Sequence, residues 1–218
     1  MNSKTLEVSA ERTPTMPDDV EVITFLGHGN RAYVYRAKLN GIDVVVKAYK
    51  PDVIKKYHSK FKVDIAEHEY GRNCALRKIA EIKRFIAKPF RVYTADSGYT
   101  HSIIQQYVEG TILEHLIEQL GHLPQELLDY GYQIVKAAEQ NGIHDLDISV
   151  GNLMANKVNG NWEPILYDFN IMPQYLYPPN PIVGLAFKTG IRKKSFRDYR
   201  SLRNWDRRGK QKWWLGRN

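Results

Sequence analysis

The chain has 218 residues, of which 43% are hydrophobic, so it is long enough to bury a core as one domain or two closely packed lobes. Its single cysteine, Cys74, excludes an internal disulfide framework and indicates a reducing compartment. No apolar run is long enough to predict a membrane span, and the N-terminus lacks the basic-then-apolar pattern of a cleaved signal peptide. We therefore expect a soluble protein.

The positive charge of the chain is concentrated near its C-terminus. The net charge is +8, but residues 188–218 contain twelve lysines and arginines against two aspartates, so the first 187 residues carry a net charge of −2. A basic segment of this kind favours acidic or phosphate-bearing partners and does not by itself select nucleic acid. We expect no nucleic-acid partner.

The N-terminal part of the chain predicts a leader and then three antiparallel strands. Residues 1–19 are polar and show no periodicity, which is typical of a mobile leader. Asn40-Gly41 matches a tight hairpin turn, and Gly27–Asn30 forms a second, glycine-containing turn. A glycine turn between two strands predicts a flap over phosphates, unlike a dinucleotide fold or a Walker loop; an ordinary glycine hairpin is the alternative. The three predicted strands are Val20–Leu26, Ala32–Leu39 and Ile42–Tyr49.

Lys47 lies in the middle of the third, apolar strand, where burying an unpaired ammonium would be costly. It therefore needs a carboxylate or a phosphate. Tyr70 and Cys74 follow Glu67 by three and seven residues, which predicts that Glu67, and not Glu69, is on the packed face of the next helix. We expect Glu67 to pair with Lys47; the alternative is that Glu67 only faces solvent.

A second cluster of polar residues predicts phosphoryl-transfer chemistry. Asp147 precedes Asn152 by five residues, and Asp168 follows a predicted hairpin in which Asn159-Gly160 joins Asn152–Ala155 to the hydrophobic segment Trp162–Tyr167. One carboxylate can act as a base, while the amide and the second carboxylate can bind a metal ion. The alternative for this pattern alone is a capped turn.

These motifs occur in the order of the eukaryotic-like protein-kinase fold, and together they cover roughly residues 20–170. The chain resembles this family. The resemblance implies an α+β, bilobal protein-kinase-like fold with a reduced, truncated C-lobe. Its expected parts are a mobile leader at 1–19, an N-lobe with hinge at 20–108, and a minimal C-lobe ending in a basic helix or tail at 109–218.

The kinase resemblance also implies ATP and Mg²⁺ as cofactors, with Mn²⁺ as an alternative metal. The catalytic residues that it implies are Asp147 as base and Lys47 paired with Glu67. The nucleotide-binding residues are Gly27 and Gly29 in the flap, Val34 over the adenine, Lys47 on the phosphates, and Gln106 to Val108 in the hinge. The metal ligands are Asn152 and Asp168.

Several positions depart from the kinase pattern. Ala32 stands where kinases have the third glycine of the flap. Asp145 and Leu146 replace the histidine and the arginine that usually precede the base, and Ser149 replaces the usual lysine of the catalytic loop. The glycine expected after Asp168-Phe169 is Asn170. Because the proposed base and both metal ligands are present, we expect an active enzyme. These departures leave open which molecule accepts the phosphoryl group.

Few residues follow Asp168, and in this the chain resembles the reduced kinases that bacterial pathogens deliver into host cells by type III secretion. This resemblance implies a monomeric effector kinase, secreted into the host cytosol, that phosphorylates Ser or Thr of a host protein, with Tyr as the alternative acceptor. The candidate partners are the chaperone Hsp90 and ubiquitin-charged conjugating enzymes. The alternatives are a sugar or lipopolysaccharide kinase, or a weakly catalytic module that docks ubiquitin-charged conjugating enzymes.

The basic segment predicts a helix that starts near Ser195. Ser195-x-x-Asp198 matches a capping box, and an apolar stripe follows at every third residue. The stripe consists of Phe196, Tyr199, Leu202 and Trp205. An adjoining flank of arginines is expected to be exposed and available to an acidic partner; it consists of Arg197, Arg200, Arg203 and Arg207.

Overall fold

The structure is a computed structural model that describes residues 14–94, 98, 100–170, 172–178 and 180–215, without the side chains of 174 and 208–215. Most of the predicted leader, residues 1–13, lies outside this range. Within it, no helix combines the length and apolarity that crossing a bilayer requires.

Strands and helices follow one another in a mixed order. The strands are β1 (Val20–His28), β2 (Ala32–Leu39), β3 (Ile42–Tyr49), β4 (Pro89–Tyr93), β5 (Ser102–Gln106), β6 (Thr111–Ile112), β7 (Leu153–Val158) and β8 (Asn161–Leu166). The helices are α1 (Pro51–Phe61), α2 (Ile65–Arg77), α3 (Leu113–Leu120), α4 (Gln125–Gln140), α5 (Pro181–Lys188) and α6 (Phe196–Leu215). The described fold is therefore α+β, with a sheet-rich N-terminal part and mainly helices after it.

The chain divides into two compact units. The first contains the described residues up to Gly71 together with Lys88–Tyr107, and the second contains Arg72–Ala87 and the residues from Val108 onward. Helix α2 is thus divided between them, and the lobe boundary expected at residues 108 and 109 stays a prediction.

The first unit is built on one antiparallel sheet with the order β1-β2-β3-β5-β4. The three predicted strands and their order are confirmed. Asn40 and Gly41 both have positive φ, 50° and 81°, which is the backbone that a two-residue turn of this type requires. Alternate residues of the strands point to one buried face, where Tyr35, Val44 and Val46 are fully enclosed.

The second unit combines a small antiparallel sheet, β6-β7-β8, with helices α3, α4 and α6. The β7–β8 hairpin also turns through an Asn-Gly pair, Asn159-Gly160. Its core contains residues from β7, β8 and all three of these helices, among them Leu113, Ile134, Leu153 and Leu166. The hairpin that the sequence predicts before Asp168 is therefore confirmed.

Helix α6 packs three of the four residues of its predicted apolar stripe on the core of the second unit, and Phe196 is not among them. Leu202 and Trp205 are completely enclosed in the core, and Tyr199 packs against it. Gly131 of α4 faces this stripe closely: a Cβ added there would lie 2.7 Å from Leu202 Cδ2 and 2.9 Å from Trp205 Cζ3. The absence of a side chain at Gly131 is what allows α4 and α6 to meet.

We predict that Gly131→Ala lowers the free energy of unfolding by about 1–3 kcal/mol, because Leu202 and Trp205 must leave their packed positions. Gly71→Ala is the matched control: Gly71 is also inside a helix, but an added Cβ would meet nothing within 4 Å, so this change should stabilise by about 0.4–1 kcal/mol. Chemical denaturation of both variants measures the difference. Equal effects would mean that α4 and α6 are not closely packed at Gly131.

Candidate functional site

The predicted flap is the β1–β2 hairpin. Gly27 has φ 147°, a conformation that favours glycine, and lies opposite Val34 next to an irregularity in the strand pairing. The turn is closed by the Gly29 amide, which donates to Ala32 O at 3.0 Å. Lys50 Nζ donates to Gly29 O at 2.8 Å. Both glycines therefore shape one short connection between two strands.

Val34 and Lys47 share one face of the sheet. They are directly opposite each other in the β2–β3 pairing, and residues at such positions point to the same side. Val34 is half-buried. An apolar surface thus adjoins the lysine on this face.

Lys47 forms a buried ion pair with Glu69. Lys47 Nζ lies 2.8 Å from Glu69 Oε1, and the two residues are 6% and 1% exposed. Tyr49 OH donates to the second carboxylate oxygen, Glu69 Oε2. The expectation that Glu67 is the partner is wrong, since Glu67 is exposed.

The buried face of α2 explains this correction. It begins at Ile65 and recurs at Glu69, Arg72, Asn73 and Leu76, so polar residues occupy three of its positions. Tyr70 and Cys74, which suggested the other face, are only partly buried. A helix whose packed face is largely polar gives a misleading apolar periodicity.

The two predicted hinge residues occupy different environments. Gln106 ends β5, and its backbone amide donates to Lys88 O at 2.7 Å while its side-chain oxygen accepts from Lys88 N. Val108 is buried. Their roles toward an adenine ring stay predictions.

Asp147 and Asn152 are joined by the backbone of their own loop. Asp147 has φ 59° and an exposed side chain, and its carbonyl accepts from Ser149 N at 2.7 Å and Asn152 Nδ2 at 2.8 Å. Because the amide nitrogen of Asn152 is used in this bond, its amide oxygen is the atom left to meet a cation. The loop thus presents a carboxylate and a fixed amide together.

The β7–β8 hairpin brings Asp168 beside this loop. Tyr167 N donates to Asn152 O at 3.1 Å, which continues the strand pairing one residue beyond Leu153 and Leu166. Tyr167 OH also donates to Gly151 O. Asp168, which is half-buried, is the next residue.

The donor set fits a magnesium ion that also binds phosphates. Asn152 and Asp168 offer oxygen ligands, and Mg²⁺ is commonly held by one or two protein oxygens together with substrate phosphates and water. Among the described residues, no group of three or more His, Cys, Asp or Glu side chains is arranged so that it could hold a metal ion. The site therefore lacks the larger set expected of an all-protein metal cage.

Helix α6 holds the loop through hydrogen bonds that were not predicted from the sequence. The carboxylate of Asp198 accepts from Asp145 N at 2.8 Å and from Leu146 N at 2.7 Å. One and two turns further along, Ser201 Oγ and Trp205 Nε1 both donate to Ile148 O, at 2.6 and 3.1 Å. Asp147 is thus flanked on both sides by residues that α6 fixes.

The capping box predicted at Ser195 and Asp198 is wrong. Ser195 Oγ instead donates to Glu139 Oε1, and Asp198 uses its carboxylate on the loop amides. The helix nevertheless begins next to Ser195, at Phe196, as expected. The sequence does contain a signal for this contact. Asp198 lies three residues before Ser201 and four before Leu202, so it is on the same, buried side of the helix, which is an unusual position for an aspartate.

Asp145 has several partners around it. Arg197 lies 3.2 Å from its Oδ1, and Asn170 Nδ2 donates to its Oδ2. Arg72 donates to the carbonyl oxygens of His144 and Asp145, at 2.7 and 3.0 Å. Arg197, which the sequence analysis expects to be unengaged, is therefore an ion-pair partner of the loop.

Burial is the main influence on the pKa values of Asp198 and Asp145, the two carboxyl groups that support the loop. Burial raises the pKa of Asp198 to about 6, although the Leu146 and Asp145 amides favour the ionised form. Burial also raises the pKa of Asp145, and Arg197 acts in the opposite direction. The two loop amides thus act against the cost of desolvation at Asp198, and Arg197 acts against it at Asp145.

Comparison with known proteins supports the fold that this geometry indicates. Neither protein-family models nor curated protein sequences give a match. Among solved structures, PpkA-294 in its apo form, from a bacterial Ser/Thr kinase, matches with a TM-score of 0.54 and 18% identity over 81% of this chain. The chain has a protein-kinase-like fold. It spans 65% of the length of that solved chain.

We predict that Glu69→Gln lowers the free energy of unfolding by about 3 kcal/mol or more, because the buried ammonium of Lys47 loses its counter-charge. Glu67→Gln, the same change two residues earlier on the exposed side, should alter stability by less than about 0.5 kcal/mol. Denaturant titration of the two variants decides between them. A larger loss for Glu67→Gln would restore the original pairing.

We predict that Asp198→Asn lowers the free energy of unfolding by about 1–3 kcal/mol at pH 7, because the amide nitrogen of the new side chain would face a buried backbone N–H. Asp129→Asn, at an exposed position of α4, is the control for the same chemical change.

Because burial raises the pKa of Asp198 to about 6, the stability that this group contributes falls as pH rises from about 4 to about 6. The difference between wild type and Asp198→Asn should therefore be larger at pH 4 than at pH 7. A difference that does not change with pH would contradict the pKa assignment.

Proposed function

We propose that the chain is a protein kinase, which transfers the γ-phosphoryl group of ATP to a serine or threonine hydroxyl of another protein. The observation that carries this proposal is the arrangement of Asp147, Asn152 and Asp168 in the second unit, where one loop and one hairpin combine a base with two metal ligands.

The first unit supplies the groups proposed to bind the nucleotide. Lys47, held by Glu69, would contact the phosphates, and Gly27 and Gly29 would allow the flap backbone to approach them. Val34 and Gln106 of this unit are candidate contacts of the adenine, and so is Val108, which belongs to the second unit. A lysine fixed by a buried carboxylate is well placed for this role because it pays little further entropy on binding.

In the proposed reaction, Asp147 accepts the proton of the acceptor hydroxyl while the hydroxyl oxygen attacks the γ-phosphorus, and the bond from that phosphorus to the bridging oxygen of ADP breaks. Asn152 and Asp168 would hold Mg²⁺ or Mn²⁺, which neutralises charge on the phosphates when bound. The exposed carboxylate of Asp147 can reach an incoming acceptor because only its backbone is engaged with Asn152.

We further propose a bilobal kinase with a reduced C-lobe that acts in the host cell cytosol on a host protein, with Hsp90 as one candidate. The sequence resemblance to secreted effector kinases supports this reading. Exposed apolar residues near α5 also favour a protein partner over a sugar: Ile182, Leu185 and Ile191 are 78%, 62% and 83% exposed. The same surface would serve a weakly catalytic module that docks a ubiquitin-charged conjugating enzyme, so catalysis has to be measured.

We predict that Lys47→Ala, Asp147→Ala and Asp168→Ala each abolish phosphoryl transfer. Lys47 and Asp168 act on the nucleotide and its metal, whereas Asp147 acts on the acceptor, so Asp147→Ala should still bind Mg-ATP. The assay uses labelled ATP and a host-cell lysate, with calorimetry for nucleotide binding.

Lys38→Ala and Asp129→Ala, which are matched changes at exposed positions, should transfer at the wild-type rate. Full activity in any of the three site variants would contradict the assignment. Label in protein supports a protein kinase, label only in sugars or lipids supports the small-molecule alternative, and Mg-ATP binding without transfer supports the docking module.

A further inference from the structure

Two adjoining cavities follow α6 away from Asp147. The near cavity, of about 240 Å³, is lined by Asp147 and Ile148 of the loop and by Arg200, Ser201 and Asn204 of α6, with Asp145, Arg197 and Asp198 at its inner wall. The far cavity, of about 470 Å³, is lined by Ser201 and Asn204 again and also by Ser149, Gly151, Trp205, Arg207 and Glu114. The two cavities share Ser201 and Asn204 and therefore adjoin along the helix, and together we call them the α6 groove.

Some of the charged side chains that line the α6 groove have partners within the described part of the fold, and others do not. Asp145 is paired with Arg197, and Asp198 is enclosed by two amides, so these carboxylates are already used by the fold. Arg200 and Arg207 are exposed, and neither guanidinium has an ion-pair partner among the described side chains. The groove therefore offers the base at one end and two available guanidinium groups along its length.

Helix geometry sets the spacing of these groups. Arg200 and Arg207 are seven residues apart, which corresponds to about 10 Å along a helix, or about three residues of an extended peptide. Asn204 lies between them and can donate or accept a hydrogen bond. Arg203 is exposed on the same helix but lines neither cavity.

We propose that the α6 groove binds the acceptor segment of the protein substrate, and that Arg200 and Arg207 select acidic side chains about three residues apart beside the acceptor hydroxyl. This proposal rests on the proposed kinase function. Guanidinium groups bind carboxylates through paired hydrogen bonds, which gives directional selection in addition to charge attraction. The loop itself contributes no cation here, because Ser149 faces the groove where a lysine would otherwise add positive charge.

A binding experiment tests the proposal without requiring catalysis. Two fluorescent peptides carry alanine in place of the acceptor serine and either glutamates or glutamines at three-residue spacing on both sides. By anisotropy, the glutamate peptide should bind the wild-type chain several-fold more tightly than the glutamine peptide, and the advantage should shrink as salt rises. Arg200→Gln and Arg207→Gln should each reduce the affinity about threefold.

Arg203→Gln is the matched control, and it should bind the glutamate peptide like wild type. In the reversed pair, Arg200→Glu with Arg207→Glu should prefer a lysine version of the peptide, which excludes a general loss of folding. Thermal unfolding checks each variant. A glutamate peptide that binds no better than the glutamine peptide, or an Arg203→Gln effect as large as that of Arg200→Gln, would overturn the proposal.

The corresponding serine peptides separate this proposal from the kinase assignment. If the chain transfers phosphate, Arg200→Gln should raise KM for the glutamate peptide about threefold with little change in kcat, because the side chain acts in binding. Selective binding of the alanine peptide with no transfer to the serine peptide would retain the groove and reject the kinase. Transfer with no preference for the glutamate peptide would retain the kinase and reject the groove.

Discussion

Two backbone amides, those of Asp145 and Leu146, donate to the buried carboxylate of Asp198, and Asp147 follows directly in the chain. An unsatisfied buried amide would cost about 1–3 kcal/mol, so this pair of hydrogen bonds strongly favours one conformation of the loop. Ser201 and Trp205 fix the residue on the other side, Ile148. A single helix thus determines the position of the proposed base, and its own position depends on packing against α4 at Gly131.

The fold accepts strain and buried charge where the proposed chemistry needs them. Asp145 and Asp147 both have positive φ, 58° and 59°, although neither is glycine. Such residues are uncommon, and their cost is compensated by surrounding contacts. In the first unit, Lys47 is buried with Glu69, an arrangement that gives little stability compared with an apolar pair. Polar groups retained at this cost are typical of functional sites.

Local patterns predicted much of this structure, and long-range contacts account for most of what they missed. The strands around Asn40-Gly41 and Asn159-Gly160 could be predicted because alternation and turn chemistry act within a few residues. The closeness of Asp147, Asn152 and Asp168 followed from one loop and one hairpin. Glu69 was missed because the packed face of α2 is polar, which defeats an argument from apolar periodicity. Asp198 and Arg197 were misread because their partners lie more than fifty residues away in the chain.

The most direct test of this account is a single-turnover experiment with labelled ATP on wild type and Asp198→Asn, in which protein-bound phosphate and Mg-ATP affinity are measured together. The account predicts that wild type transfers phosphate to protein, and that Asp198→Asn binds Mg-ATP with similar affinity but transfers at least about 100-fold more slowly, since one of the two hydrogen bonds that position the backbone before Asp147 is lost. Transfer by Asp198→Asn at the wild-type rate, or no protein-bound phosphate from the wild-type chain, would contradict it.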